Sequence, residues 1–233
     1  MPDVEGAVSQ ALDARAGETV SIGVRVDPEA IRRYVRSLNK RYHRDAVDAA
    51  LTGLVSARPS ISQEQTGREV RIAWMTSAIV HRLNSTVRRP LEVAFRELKP
   101  TVTKAGFGSV IVIQRGANVL TLFEGEQTVR TFGVATGSAQ YPSPSGTWRI
   151  VDKQRNPWWR PPGSEWAKDA KPIPPGPGNP LGTRWMGLDA AAVGIHGTPD
   201  AASIGYSASH GCIRMRVPEA EWLFEQVELG TPV

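Results

Sequence analysis

The sequence predicts an α+β N-terminal domain followed by a mainly β C-terminal domain. Residues 19–26 alternate apolar and polar side chains, as a half-buried strand does, and a helical pattern follows them. Residues 109–134 contain three short apolar runs separated by turn sequences, which is typical of an antiparallel meander. The chain has 233 residues, 40% of them hydrophobic and 22% charged, so it is long and apolar enough to fold as two modest domains.

The domain boundary is predicted near residues 99–106, where Pro, Thr and Gly replace the periodic pattern. This gives domains 1–104 and 105–233. The net charge of +5 lies on the N-terminal side, since residues 1–105 carry 17 basic and 12 acidic side chains while the remainder carries 11 of each. Such a charge favours anionic surroundings without requiring nucleic acid, and we expect no nucleic-acid partner.

The N-terminal domain is predicted to contain two helices. Asp27 can cap the first helix, and Pro28 suits its first position. Its apolar face is predicted to consist of Ile31, Tyr34, Val35, Leu38 and Tyr42. Its opposite face is predicted to present Arg32, Arg36, Lys40 and Arg44. That basic stripe can be a solvated surface or a contact for a polyanion. Residues 73–83 predict the second helix, with Trp74, Ile79, Val80 and Leu83 facing inward.

The C-terminal domain is predicted to begin with the meander, and residues 146–152 add a further strand. Residues 156–181 contain eight prolines and three tryptophans, which is too much proline for regular secondary structure. We predict that this segment is an ordered lid or groove wall, with simple packing over an open sheet end as the alternative.

Residues 193–215 carry the chemically informative pattern. A short apolar strand leads to His196, and a polar loop then leads to His210 and Cys212, the only cysteine of the chain. Histidine is the usual partner that converts a thiol, of pKa about 8.5, into a nucleophile. Gly211 beside the cysteine lets backbone approach a substrate closely. The pattern also fits a buried cysteine with two unrelated histidines, and a single cysteine excludes an intramolecular disulfide.

The residues HGT at 196–198 and SHGCIRM at 209–215 resemble the signature of the YkuD-type L,D-transpeptidase catalytic domain. GVATGS at 133–138, PSGTWRI at 144–150 and PPGPGNPLGTRWMGL at 174–188 also look like stretches typical of that family. The resemblance covers residues 107–233 and implies a β-sandwich or barrel with a short C-terminal helix. The N-terminal part more diffusely resembles the peptidoglycan-binding domain that precedes this catalytic domain in some bacterial wall enzymes.

The resemblance implies roles for individual residues. Cys212 is the nucleophile and His196 the general base, with the Gly197 carbonyl orienting the imidazole; His210 is the alternative base. The amides of Gly211 and Cys212 form the oxyanion hole. The expected substrate contacts are Trp159, Trp166, Tyr206, Ser209 and Arg214. Many family members have Asn where this chain has Arg214, so the contact that Arg214 makes is left open.

The resemblance also implies the reaction and its partners. The thiolate attacks the third residue of a peptidoglycan stem tetrapeptide, releases D-alanine and holds the stem as a thioester, which an amine of a second stem resolves. Water as the acceptor makes the enzyme a carboxypeptidase. The expected partners are donor and acceptor stem peptides, with no metal or organic cofactor and with the nucleophile open to acylation by carbapenems. The substrate is extracytoplasmic, and because no stretch of this sequence can span a bilayer, we expect an anchor or signal outside it.

Two other classes of function fit parts of the sequence. A metallohydrolase can use His196, His210 and Cys212 as zinc ligands, although a two-residue step between ligands is uncommon and no acidic residue accompanies either histidine. A non-catalytic wall-binding protein can rely on the basic helix and the tryptophan-rich segment alone, although it does not need a Cys and His pair.

Overall fold

The computed structural model describes residues 2–20, 23–24, 26–85 and 89–233. The strands in chain order are β1 (Pro2–Asp3), β2 (Gly23–Val24), β3 (Leu51–Val55), β4 (Arg58–Ile61), β5 (Gly67–Val70), β6 (Phe95–Leu98), β7 (Ser109–Gln114), β8 (Val119–Glu124), β9 (Gln127–Gly133), β10 (Thr136–Gly137), β11 (Ile150–Arg155), β12 (Arg184–Leu188), β13 (Gly194–Thr198), β14 (Ser207–Ser209) and β15 (Ile213–Arg216). The helices are α1 (Val4–Asp13), α2 (Pro28–Tyr42), α3 (Ile72–Asn84) and α4 (Val217–Gln226).

The chain forms two compact units. The first contains residues 1–48 and 64–101, and the second contains residues 49–63 and 102–233. The second unit therefore includes the β3–β4 hairpin, which lies within the predicted N-terminal domain. The hairpin belongs there because its contacts are long-range: the Ile61 amide donates to Glu126 Oε1 at 3.0 Å, and Leu51 packs on the core cluster of Val110, Val112 and Phe123.

The first unit packs α2 against α3, and its buried core is formed by Val35, Val70 and Met75. The predicted start of α2 is confirmed, since the Asp27 carboxylate accepts from the Glu29 amide at 2.9 Å and Pro28 is the first helical residue. Antiparallel pairs β1–β2 and β5–β6 complete the unit. The capped, amphipathic α2 is thus the element that the local sequence determines best.

Several predictions for this unit need correction. The strand predicted for residues 19–26 is present only as Gly23–Val24, and Ser21, Ile22 and Arg25 lie outside the described residues. Trp74 and Leu83, both predicted to face inward, are 45% and 37% exposed, because α3 faces the core with Ile72, Met75 and Ile79. Tyr34 is exposed as well. Arg44 lies beyond the end of α2 and pairs through its backbone with Arg68, so it is not part of the helical stripe.

The second unit confirms the predicted meander and the mainly β fold class. Strands β7, β8 and β9 form a three-stranded antiparallel sheet. A four-stranded mixed sheet has the order β11-β12-β13-β15, in which only β13 and β15 are parallel. Residues 231–233 connect the two sheets, because the Ile111 amide donates to the Pro232 carbonyl and the Ile150 amide donates to Thr231.

One hydrophobic core is shared by both sheets and α4. It contains Leu120 and Leu122 from the meander, Ile195 and Met215 from the mixed sheet, and Leu223 from α4. The helix is fixed at its C-terminal end, where Lys153 Nζ on β11 donates to the carbonyls of Phe224 at 2.8 Å and Val227 at 2.5 Å. These bonds satisfy carbonyls that have no partner within the helix. The mixed sheet is therefore a rigid platform for the residues on its other face.

Candidate active site

Four side chains form a row across the mixed sheet. Gln154 on β11 pairs with Trp185 on β12, Trp185 pairs with His196 on β13, and His196 pairs with Arg214 on β15. Directly paired residues of neighbouring strands point to the same face of a sheet. All four line one open cavity of about 930 Å³. Cys212 also lines this cavity, from the turn immediately before β15.

Two glycines leave room for the Trp185 indole to lie flat on this face. A Cβ atom at Gly187 would lie 2.8 Å from Trp185 Nε1, and one at Gly194 would lie 2.4 Å from an atom of the indole ring. Gly187 and Gly194 are paired across β12 and β13, so the ring covers both. The indole also stacks on the imidazole of His196, with ring centroids 5.9 Å apart. Trp185 thus forms the floor of the cavity beside His196.

His196 is buried, and its environment fixes its tautomer. Its Nδ1 lies 2.6 Å from the carbonyl oxygen of Gly197. A carbonyl only accepts, so Nδ1 carries the proton and Nε2 has a free lone pair in the neutral ring. Burial lowers the pKa of His196 from 6.5 to about 4; the bond to Gly197 opposes this shift, and the positive charge of Arg214 adds to it. The imidazole is therefore neutral at pH 7 and can accept a proton.

The Cys212 thiol is half-buried and lies close to the start of β13, the strand that carries His196. Its Sγ lies 3.6 Å from the Ala192 carbonyl oxygen. Burial raises the pKa of Cys212, while a backbone hydrogen bond with Gly194 and the charge of Arg214 act in the opposite direction. In this structure the pair is thus a neutral thiol and a neutral imidazole, so forming the thiolate requires transfer of a proton from sulfur to a base.

A tight turn presents Cys212 to the cavity. The buried Ser209 hydroxyl donates to the Cys212 carbonyl at 2.5 Å and accepts from the Gly211 amide at 3.1 Å. Gly211 has φ of +112°, a backbone conformation that favours glycine. Its carbonyl accepts from the buried hydroxyl of Ser143 at 2.7 Å, and that hydroxyl in turn accepts from the Gly137 amide at 2.9 Å. The turn is therefore stabilised by Ser209 within it and by Ser143 in a neighbouring loop.

The proline-rich segment 156–181 forms a wall of the cavity, as predicted. Apart from a short 3₁₀ turn at Glu165–Ala167 it has no helix or strand. The buried Asn179 holds it together: its amide nitrogen donates to the carbonyls of Pro157 at 2.9 Å and Pro174 at 3.0 Å, with a longer contact to Ile173 at 3.3 Å. Its Oδ1 accepts from the Leu181 amide. One side chain thus replaces the backbone hydrogen bonds that proline cannot make.

An aromatic stack links this wall to the cysteine turn. Trp166 stacks on the ring of His210 with centroids 4.1 Å apart, and the centroid of the Tyr141 ring lies 4.8 Å from that of His210. All three residues line the cavity. His210 is exposed, whereas His196 is buried on a strand and held by a backbone carbonyl. The two histidines of the cavity therefore lie in different environments, one buried on a strand and the other exposed in the cysteine turn.

This arrangement combines a thiol, an oriented neutral imidazole and an open cavity, which is the set that acyl transfer through a nucleophilic cysteine requires. A family model described as the L,D-transpeptidase catalytic domain matches residues 108–233, more than half of the chain. The chain belongs to the L,D-transpeptidase family. A second model, described as "Putative peptidoglycan binding domain", matches residues 5–92.

Similar proteins carry the same family name. "Putative L,D-transpeptidase YqjB" of Bacillus subtilis is 33% identical over 128 residues, which are 53% of this chain and 68% of the relative. "Putative L,D-transpeptidase YkuD" of the same species is 33% identical over 123 residues, 53% of this chain and 63% of the relative. A solved L,D-transpeptidase from Mycobacterium smegmatis is 17% identical, with a TM-score of 0.48 over 91% of this chain and 87% of that one.

Not every residue predicted for this L,D-transpeptidase lies where we expected. Trp159, Trp166, Ser209, Arg214 and both histidines line the cavity with Cys212. Tyr206 does not; it is 67% exposed, because its backbone closes the turn after Ser203 and leaves the ring in solvent. The Gly211 amide, expected in the oxyanion hole, is bonded to Ser209 instead.

Sequence reasoning missed Trp185, Ser143 and Asn179. Trp185 had a usable signal, since it alternates with buried Met186 and Leu188 neighbours in a short strand and precedes Gly187. Ser143 had none, because its partner Gly211 lies 68 residues along the chain. Asn179 had none, because its partners lie in an irregular segment whose hydrogen bonds follow no periodic pattern. Among the described residues, no group of three or more His, Cys, Asp or Glu side chains is placed to hold a metal ion. No helix in the described ranges has the length and apolar character needed to cross a membrane.

Proposed function

We propose that this L,D-transpeptidase uses Cys212 as its nucleophile and His196 as its general base. The observation that supports this most directly is the buried imidazole on β13, with Nδ1 bonded to Gly197 and Nε2 available, next to the strand that follows Cys212. The Gly197 carbonyl takes the orienting role that a carboxylate has in other triads. His210 is a less suitable base because its ring is exposed and held between aromatic side chains.

In the first half of the reaction, the Cys212 proton moves to His196 Nε2 as sulfur bonds to the carbonyl carbon of the third stem residue. The carbonyl electrons become an oxyanion, which we assign to the Cys212 amide because the Gly211 amide already has a partner. The oxyanion then collapses and breaks the peptide bond. The leaving D-alanine takes the proton from His196 as an amine, and the stem remains on Cys212 as a thioester.

In the second half, an amine on a neighbouring stem enters the cavity and gives a proton to His196 as it attacks the thioester. The new amide joins two third-position residues, and sulfur leaves as the thiolate to be reprotonated. In both steps the protons pass only between the substrates, Cys212 and His196. Because the substrate is peptidoglycan, we propose that the protein works at the cell wall outside the cytoplasmic membrane.

The test is acylation of Cys212 by a stem tetrapeptide, followed by intact-protein mass and by release of D-alanine. The parent should gain the mass of the tripeptidyl group and, when an acceptor stem is added, yield a crosslinked product. Cys212→Ala should unfold at the same urea concentration as the parent and release no D-alanine. Release by that variant at near the parent rate contradicts the thiol mechanism. Release without crosslinking, at any acceptor concentration, identifies a carboxypeptidase that uses water.

The choice of base has its own experiment. We expect His196→Ala to abolish acylation and to remove the pH-dependent reactivity of Cys212 toward iodoacetamide. His210→Ala is the matched comparison and should keep that profile. If only His210→Ala loses it, the assignment of the base is reversed.

We further propose that the first unit binds the anionic polymers of the wall through α2. On this helix Arg32 pairs with Glu29 at 2.9 Å, whereas Arg36 and Lys40 are exposed and free of ion pairs in the part of the chain that the structure describes. Binding through exposed charges weakens as salt shortens the Debye length to about 8 Å at physiological ionic strength. The full chain should therefore sediment with purified walls in a salt-dependent way, and the Arg36→Glu, Lys40→Glu double variant should not. If the parent and the double variant bind walls equally well, the basic face of α2 is an ordinary solvated surface.

A further inference from the structure

We infer that Arg214 binds the carboxylate of the terminal residue that the donor loses, and thereby restricts the enzyme to the last peptide bond of a stem. This inference rests on the proposed function and assigns a specific substrate group to one side chain of the same site. It predicts that a stem with a free terminal carboxylate is a much better donor than the same stem with a terminal amide.

The position of Arg214 supports this assignment. It lies directly opposite His196 in the parallel pair of β13 and β15, two residues after Cys212, and all three residues line the same cavity. Cα atoms two residues apart in a chain are separated by at most roughly 7 Å. The guanidinium is close enough to both reactive groups for its charge to act on His196 and on Cys212. A ligand group held by Arg214 therefore lies immediately beside the reacting bond.

The charged residues that line the cavity also support this assignment of Arg214. Arg214 is half-buried, and among the described residues its guanidinium has no ion-pair or hydrogen-bond partner. The described residues that line the cavity include no Asp or Glu; the other fixed cation is Arg160 on the proline-rich wall. A partly buried cation without a partner is costly. An anionic group of the substrate would remove that cost, and no group of the cavity itself does.

The chemistry of the donor supplies an anion at the required distance. In a stem tetrapeptide the scissile carbonyl belongs to the third residue, and the terminal carboxylate belongs to the next one. Successive Cα atoms are about 3.8 Å apart, so this carboxylate lies within one residue of the carbon that Cys212 attacks. The planar fork of arginine binds a carboxylate through two parallel hydrogen bonds, which fixes its orientation as well as its charge. A longer stem would place an uncharged amide at this point.

A second role for Arg214 makes a different prediction. Its charge also lowers the pKa of Cys212, so it can favour the thiolate without touching the donor. That effect is the same for every donor, because it acts before the donor's terminus is recognised. The ratio of acylation rates for the acid and amide forms of one donor therefore separates carboxylate binding from activation of the thiol.

The experiment measures the second-order rate of Cys212 acylation by intact-protein mass, using a stem tetrapeptide that ends in D-alanine and the same peptide ending in D-alaninamide. We expect the parent to favour the acid by about 10- to 100-fold, the range for a hydrogen bond to a charged group. Arg214→Gln should bring the ratio close to one, mainly by slowing the acid. Arg214→Lys should give an intermediate ratio because it keeps the charge and loses the fork.

Arg160→Gln is the matched control, because it removes the same charge from the exposed proline-rich wall and should leave the ratio at the parent value. Alkylation by neutral iodoacetamide reports thiol reactivity separately in each variant. A parent ratio near one overturns the inference, and so does an Arg214→Gln variant that slows both donors equally. If the parent is acylated by neither peptide while iodoacetamide still modifies Cys212, the proposed function itself fails, which is a distinguishable result.

Discussion

Lowering the pH from 7 to 4 should destabilise the folded protein by about 3 kcal/mol through His196 alone. The folded state holds this imidazole at a pKa of about 4, against 6.5 for the ordinary group. The unfolded chain therefore binds a proton that the folded chain does not, and stability falls as the pH drops through this window. Each pKa unit is worth 1.36 kcal/mol, and the pKa values of the unfolded and folded states differ by about 2.5 units. At pH 4 the folded imidazole is itself half protonated, so the loss of stability is slightly smaller than the full difference.

The physical cause of this effect is the loss of hydration on burial. The His196 ring is enclosed by Trp185 and by the strand backbone, and its one fixed hydrogen bond, to Gly197, requires only the Nδ1 proton. A second proton on Nε2 places a charge in this buried position near the Arg214 guanidinium. Stability from this residue is thus fully present above about pH 6.5 and is lost progressively toward pH 4.

The assay is urea unfolding at pH 7, 6, 5 and 4 for the parent and for His196→Gln, which does not titrate. Carboxylates titrate in both proteins, so the difference between the two curves isolates His196. The free energy of unfolding is taken from the linear dependence on urea at each pH. Curves that fall in parallel from pH 7 to 4 refute the reasoning, since they mean that the folded imidazole titrates near its ordinary pKa.

Two further predictions concern packing around the site. Asn179→Ala should lower the free energy of unfolding by about 2 kcal/mol, because it leaves the buried Pro157 carbonyl without its donor and removes the bond to Pro174, and should expose the proline-rich segment to proteolysis. A loss below about 1 kcal/mol contradicts this account. Gly194→Ala should displace the Trp185 indole, cost about 1–3 kcal/mol and slow Cys212 acylation at least tenfold. Gly108→Ala is its control, since no atom lies within 4 Å of a Cβ there; an unchanged tryptophan spectrum in Gly194→Ala would argue against a displaced ring.

Local sequence patterns were sufficient to predict the elements whose stability comes from near neighbours. Asp27 and Pro28 predicted the start of α2 because a cap and a fixed φ act within one helical turn. The meander followed from period-two alternation and short turns, and the absence of regular structure in 156–181 followed from its prolines. Trp74 was misplaced because the apolar side chains of α3 cover more than one face, so that only packing decides which face is buried.

The features that depend on strand register and on distant partners arise only in the folded chain. Cys212 and His196 were evident as candidates, but the row that joins His196 to Gln154, Trp185 and Arg214 exists only because strands from different parts of the chain pair in one register. The same holds for the Ser143 bond to the cysteine turn and for the β3–β4 hairpin, which joins the second unit. Local sequence fixes dihedral preferences over a few residues, whereas these contacts are selected by the burial of a shared core, to which residues far apart in the chain contribute together.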